Sequence, residues 1–361
     1  MDYNAYRRKT NPIRVGNIII GGDSAISVQS MTNTDTRDAE ATYRQVCALA
    51  EAGCDIVRIT APDVESAETF RALKERGIGV PIVADIHFDY KIALAVAKYV
   101  DKIRINPGNI GDKEKIREVV AACREYRLPI RIGVNSGSLE KAILEKHGSP
   151  TPEALAESAL FHVSLLEKFD FHDIAVSVKA SSTVNMIAAN RILAEKTAYP
   201  LHLGVTEAGF GMSAIVKSSI GIGTLLAEGI GDTVRVSLTD DPVREVEAAH
   251  EILSALGLCE GGMNIISCPT CGRTKIDLIS LAAEFKVRAK AEGIDKEKIT
   301  VALMGCAVNG PGEAREADFG IAGGSGEGLL FRRGRIIAKV SEDKLIESLI
   351  QEIKNMKGTS L

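Results

Sequence analysis

One pattern constrains this chain more than any other: from Ala25 to Thr239 it repeats a single unit, a short β-rich run, a turn, and an amphipathic stretch with 3.6-residue periodicity. The unit recurs eight times. Strands are expected at 25–31, 56–60, 82–87, 102–106, 129–135, 173–179, 200–206 and 233–239, with helices between them such as 39–52, 64–76, 91–100, 113–127 and 243–256. Eight strands alternating with helices imply a parallel sheet covered on both faces, which closes most simply into a barrel, with a doubly wound open sheet as the alternative. The segment 14–20, with Gly16-Asn17 as its turn, is expected to form a hairpin that plugs the N-terminal mouth.

Beyond Leu258 the unit is lost, and Gly261-Gly262 marks a linker. The expected fold class is therefore α/β, a (β/α)8 TIM barrel over residues 1–258 followed by a small α+β module over 259–361. A chain of 361 residues, 45% of them hydrophobic, has material for one large core and one small one.

Within the strands, alternate residues face the helices and the barrel interior. Ile103 and Ile105, Ile130 and Ile132, Val176 and Val178, and Val234 and Val236 form the helix-facing set. The opposite register carries Gln29, Arg58 with Thr60, Asp85 with His87, and Arg104 with Asn106. It continues with Arg131 and Asn135, Ser177 and Lys179, His202 and Thr206, and Arg235 with Ser237 and Thr239. Burying four arginines and a lysine costs several kcal/mol for each ion left uncompensated, more than Asp85 and Glu207 can offset. The missing anion is read as the substrate. Arginine suits bidentate recognition of phosphate oxygens, and barrel enzymes build their sites at the C-terminal strand ends, so a small phosphorylated or diphosphorylated ligand is expected. Lys217-Ser218-Ser219, with Gly221 and Gly223, is expected after the seventh strand, where a loop and helix N-terminus would add phosphate contacts, although close helix packing explains these glycines as well.

A net charge of −4 argues against nucleic-acid binding, because phosphate neutralisation needs a large cationic excess. No run approaches the ~18 apolar residues needed to span a bilayer, and no signal-length apolar segment opens the chain, so a soluble cytoplasmic protein is expected. Seven cysteines, an odd number, favour a reducing compartment, with Cys47, Cys54 and Cys123 read as buried small hydrophobes.

The tail places two cysteine groups at strand ends: Cys268-Pro269-Thr270-Cys271 after an apolar run, and Cys306 after a strand over 299–304. A C-x-x-C pair at a strand-to-helix turn reads as a redox dithiol, half of a zinc site or two ligands of an iron-sulfur cluster. Cys306 favours metal over dithiol. Zinc would want a fourth nitrogen or thiolate, and the tail holds no histidine, which disfavours zinc without excluding it. Glu313, across Asn309-Gly310-Pro311-Gly312, would return a carboxylate and leave one iron exchangeable. Glu316 and Asp318 read as solvated loop charges, and Arg332, Arg333 and Arg335 as a solvent-facing hairpin around Gly334.

The segments 267–274 (Ser-Cys-Pro-Thr-Cys-Gly-Arg-Thr) and 304–314 (Met-Gly-Cys-Ala-Val-Asn-Gly-Pro-Gly-Glu-Ala) closely resemble the cluster motif of bacterial 4-hydroxy-3-methylbut-2-en-1-yl diphosphate synthases. The segments 28–34, 83–88, 102–109 and 131–138 are similar to the same family, so the resemblance runs over nearly the whole chain, in the compact two-domain form. It implies conversion of 2-C-methyl-D-erythritol 2,4-cyclodiphosphate to the linear hydroxymethylbutenyl diphosphate by two-electron reductive ring opening with loss of water, in the non-mevalonate isoprenoid pathway. It further implies one 4Fe-4S cluster on Cys268, Cys271, Cys306 and Glu313, and a diphosphate held by Arg58, His87, Arg104, Arg131, Asn135, Lys179, Ser237 and Arg235. Glu207, as proton donor, and Asn309, on the cluster side, are placed nearest the reacting carbons by the same resemblance. Flavodoxin or ferredoxin is the implied donor, and a head-to-tail homodimer the implied assembly. Two rivals stand beside it: a pteridine-binding type of barrel with a structural zinc appendage, and a redox-sensing binding module.

Overall fold

The computed structural model describes residues 3–259, 262–307 and 315–358. Two compact units divide at Leu258 and Cys259. In the first, β1 (Ile13–Val15) and β2 (Ile18–Ile20) form the antiparallel hairpin, with Gly16 at φ +57° in the turn. Ile13, Val15 and Ile20 pack on Ile56, Val83 and Ala175, residues at the starts of three barrel strands, so the hairpin closes the floor of the barrel.

The barrel itself consists of β3 (Ser27–Met31), β4 (Ile56–Thr60), β5 (Ile82–Ile86), β6 (Lys102–Ile105), β7 (Ile130–Asn135), β8 (Ile174–Lys179), β9 (His202–Leu203) and β10 (Thr233–Val234), in the order 8-7-6-5-4-3-10-9. All pairings are parallel, and a bridge between Val176 and Leu201 joins the two edges. The helix-facing isoleucines Ile103, Ile105, Ile130 and Ile132 are fully buried. Several helices start on side-chain caps: Asp112 accepts from the Lys115 amide, Ser182 from Asn185 and Asp241 from Val243, each satisfying an N–H that the first turn leaves open.

Two expectations change. The last two strands, read as 200–206 and 233–239, keep ladder geometry for two residues each. Gly204 explains part of this: a Cβ there would lie 2.5 Å from the Arg235 carbonyl, a close approach that departs from regular strand spacing. Lys217-Ser218-Ser219 lies inside the long helix Gly211–Ala227, not in a loop or at its N-terminus. Gly221 is there for packing, since a Cβ would meet Met186 at 2.6 Å and Val205 at 2.7 Å.

The second unit is a five-stranded sheet in sequential order: β11 (Asn264–Ser267), β12 (Thr300–Met304), β13 (Phe319–Gly323), β14 (Glu327–Arg332) and β15 (Arg335–Ser341). The first three strands are parallel and the last pairings antiparallel. Phe285 from the helix Leu278–Ala291, and Leu349 and Ile353 from the helix Leu345–Gly358, pack against Val301, Leu303, Phe319 and Ile321, giving this unit its own core. Asp318, read as a solvated loop charge, is structural: its carboxylate accepts from the Thr300 amide at 3.0 Å and its carbonyl from the Arg333 amide at 3.0 Å. Glu316 is exposed, and so is Arg333 at the β14–β15 turn.

Candidate active site

The parity of β4 to β8 turns Arg58, Asp85, Arg104, Arg131 and Lys179 into the barrel, whereas His87 and the polar residues that follow β9 and β10 lie beyond the strands. Asp85, 2% exposed, is the hub: Arg104 Nη1 donates to Oδ1 at 2.9 Å, and Arg58 Nε lies 3.2 Å from Oδ2. Arg104 Nη1 also stands 3.4 Å from His87 Nε2, and its Nη2 reaches the Gly133 carbonyl at 3.3 Å. Arg131 is 1% exposed, yet its Nε and Nη2 have no hydrogen-bond partner among the described residues. Lys179, at the C-terminal end of β8, is buried as well.

Electrostatics follow from this imbalance. Burial works to raise the Asp85 carboxyl, but Arg58, Arg104 and Arg131 outweigh it and hold the group well below its ordinary value. Burial lowers Arg58 to about 10, with Asp85 opposing and Arg235 and Arg104 reinforcing the shift. Lys179 falls well below its usual value, through burial first and then the charges of Arg58, Arg235 and Arg131. His87, exposed at the mouth, is also lowered by partial desolvation.

Two glycines make room for the cations. A Cβ on Gly133 would sit 2.3 Å from Arg104 Nε, and one on Gly204 would sit 3.1 Å from Lys179 Nζ. Beside them an open cavity of ≈ 200 Å³ is lined by Thr206, Glu207, Gly209, Arg235, Ser237 and Glu245 among others. Arg235 donates through Nη2 to Glu245 Oε1 at 2.8 Å and through Nε to Oε2 at 3.1 Å, with Nη1 3.4 Å from Ser237 Oγ. Glu207 is exposed on the cavity rim with φ +53°, a left-handed conformation uncommon for a residue with a Cβ. Asn135 is half-buried at the end of β7.

Sequence reasoning missed Glu245. It lies on the helix Pro242–Ala255, is 2% exposed, and also accepts from Ser30 Oγ at 2.8 Å and the Leu238 amide at 3.1 Å. Arg235 is thereby neutralised inside the protein, unlike Arg131 and Lys179. The available signal was positional: an acidic residue in the first turn after the Asp241-Pro242 cap points back towards the strand ends. Lys102 was missed too; it shares the inward parity of Arg104 and is fully buried.

In the second unit, β11 and β12 lie side by side, with Ser267 opposite Leu303, so Cys268 and Cys306 leave neighbouring strand ends. The Gly305 amide donates to Cys268 Sγ at 3.2 Å. The loop after Cys271 folds over Gly305: Thr274 Oγ1 accepts from the Cys271 amide at 3.1 Å, and the Lys275 amide donates to the Gly305 carbonyl at 3.0 Å. Hydrogen bonds from Arg273 draw the exposed Cys271 thiol below its ordinary value. Among the described residues no three His, Cys, Asp or Glu side chains converge tightly enough to hold a metal. Asn309 and Glu313 lie outside the described residues. Three cysteine sulfurs at or just beyond adjacent strand ends, with an N–H already aimed at one of them, suit an iron-sulfur cluster better than a hard cation. Of the remaining cysteines, Cys54 and Cys123 are buried as expected, while Cys47 is only half-buried. No helix among the described residues is long and apolar enough to cross a membrane.

A parallel barrel with a cationic interior, carrying a separate cysteine-bearing α+β unit, defines a two-domain barrel enzyme acting on a small anion. The family model described as the GcpE TIM-barrel domain matches residues 10–250, and that of the GcpE protein C-terminal domain matches 264–355. The chain belongs to the GcpE family, the 4-hydroxy-3-methylbut-2-en-1-yl diphosphate synthases. The enzyme of that name, with flavodoxin, from Clostridium perfringens is 58% identical over 97% of this chain and 99% of its own. The one from Geobacter sulfurreducens is 56% identical over 97% and 98%. Among solved structures, dihydropteroate synthase of Stenotrophomonas maltophilia superposes with a TM-score of 0.51 at 15% identity, covering 70% of this chain and 100% of that one, a likeness of fold alone.

Proposed function

We propose that this chain converts 2-C-methyl-D-erythritol 2,4-cyclodiphosphate to 4-hydroxy-3-methylbut-2-en-1-yl diphosphate, taking two electrons from flavodoxin and releasing water. The observation that carries this reading is the charge imbalance of the barrel interior: Arg58, Arg104, Arg131 and Lys179 share one buried carboxylate, Asp85, so the site gains most from a ligand of two or more negative charges. We assign the diphosphate to these cations together with His87, Asn135, Arg235 and Ser237. They orient the ring and neutralise the negative charge that grows on the phosphate oxygen as the carbon–oxygen bond opens. To Glu207, on the cavity rim, we assign delivery of a proton to the departing oxygen, and to Asn309 a role on the cluster side of the reacting carbons. One 4Fe-4S cluster on Cys268, Cys271, Cys306 and Glu313 would supply the electrons singly. The reading includes a cytoplasmic, head-to-tail homodimer.

Protein purified without oxygen should be brown, contain about four irons and four sulfides per chain, and turn over the cyclic diphosphate with a strong one-electron reductant. Stoichiometric zinc without sulfide would end this reading. Gly133→Ala probes the cationic seat separately. The new methyl displaces the Arg104 guanidinium from Asp85, so kcat/KM should fall about 10²-fold, with a lowered melting temperature as the buried pair is disturbed. Unchanged kinetics would remove Arg104 from the site.

A further inference from the structure

The cations assigned to the diphosphate leave two titratable side chains of the barrel without a role. Lys102 opens β6 and His202 opens β9, and both are fully buried. Neither Lys102 Nζ nor either ring nitrogen of His202 has a hydrogen-bond partner among the described residues. Both feel the charges of Arg131 on β7 and Arg58 on β4, and His202 also feels Lys179 on β8 and Lys102 itself. The buried carboxylate of the neighbouring strand β5, Asp85, is already taken by Arg58 and Arg104.

Arginine does not release its proton near pH 7. The empty barrel can therefore relieve its excess positive charge only through lysine and histidine, and burial followed by the guanidinium charges pushes Lys102 and His202 well below their ordinary values. A cyclic diphosphate brings one negative charge on each phosphorus against the same guanidiniums. An arriving anion reverses the balance and favours the protonated forms.

We propose that seating the cyclic diphosphate draws a proton onto the buried Lys102–His202 pair, so that substrate binding is coupled to proton uptake by the barrel interior. The inference rests on the diphosphate reading given above. Lys102 and His202 are positioning residues in it: they act on the ligand through the charge they carry beside Arg131.

The test is calorimetric titration of the oxidised holoenzyme with 2-C-methyl-D-erythritol 2,4-cyclodiphosphate, without reductant, near neutral pH in buffers of differing ionisation enthalpy. Each phosphorus of the ligand bears one strongly acidic oxygen, so the ligand does not titrate there and the protons counted belong to the protein. Uptake of about one proton per site is expected, falling by roughly half or more in Lys102→Met and in His202→Gln while binding persists. A purely structural role for the pair would leave that count unmoved. Clear binding with no buffer dependence in the unsubstituted enzyme overturns the inference and leaves the diphosphate reading standing; absence of binding overturns both. Undiminished uptake in the two variants places the proton on Lys179 or His87 and overturns the assignment. Should Lys102→Met fail to fold, His202→Gln and the unsubstituted enzyme still decide.

Discussion

Cys268→Ser is expected to yield a folded protein with no iron, no sulfide and no turnover. Cys268 packs at the edge of both hydrophobic clusters of the second unit, and its sulfur accepts the Gly305 amide at 3.2 Å. Serine is smaller and can accept the same hydrogen bond, so the strand end keeps its geometry. What serine cannot offer is a soft thiolate, the ligand that holds iron and sulfide together. Cys271→Ser and Cys306→Ser should behave alike. Cys54→Ser is the control: that thiol is buried, donates to the Ile56 carbonyl at 3.2 Å, and burial pushes it up to about 12, so it stays protonated and unavailable to metal. Iron and sulfide determination under anaerobic conditions, beside a thermal melt of each variant, checks the series. Full metal content in Cys268→Ser would remove it from the ligand set, and metal loss in Cys54→Ser equal to that of the others would trace the loss to unfolding.

How far the sequence announces this site depends on what each residue sits beside. Arg58, Asp85, Arg104 and Arg131 were legible because each interrupts a β-branched run at inward parity, and a charge in that position is costly unless it is used. Strands β4 to β8 follow the period-2 pattern within a residue of their expected bounds. The pattern fails at β9 and β10, where the ladder opens around Gly204 and the polar residues that follow belong to loops on the cavity rim. Lys217-Ser218-Ser219 misled for the opposite reason: Gly221 and Gly223, two residues apart, look like a phosphate loop, yet Gly221 is small because Met186 of a neighbouring helix and Val205, just past β9, press on it. Glu245 and Lys102 were passed over although each carried a weak signal, Lys102 the inward parity of Arg104 and Glu245 its place in the first turn after a cap. An acidic residue near a helix start and a lysine at a strand start are ordinary surface choices, and only the closure of the barrel turns both inward.

That closure also makes Asp85 the residue on which the stability of the unliganded barrel turns. Asn keeps the shape of Asp and removes its charge, leaving Arg58 and Arg104 buried together beside Arg131 with no anion between them. Breaking a buried pair from one side costs about 3–5 kcal/mol, so Asp85→Asn should lower the melting temperature by about 6–12 °C. The sign of the pH dependence follows from the same contacts. The guanidiniums hold the folded carboxyl below its unfolded value, so its contribution is complete above about pH 4 and is lost as the pH falls through the folded value. Asp85→Asn should accordingly melt with a shallower acid dependence than the parent protein. Because the variant carries one more uncompensated cation, an added anion is worth more to it: at about 100 times its dissociation constant, pyrophosphate contributes about 2.7 kcal/mol, and a given concentration should raise the variant's melting temperature by more than the parent's. Melting curves of both proteins from pH 3 to 8, with and without pyrophosphate, read all three effects. A shift within about 1 °C at neutral pH, or equal rescue of both proteins, would mean that the cations are compensated by something other than Asp85 and that the anion demand at the centre of this site is absent.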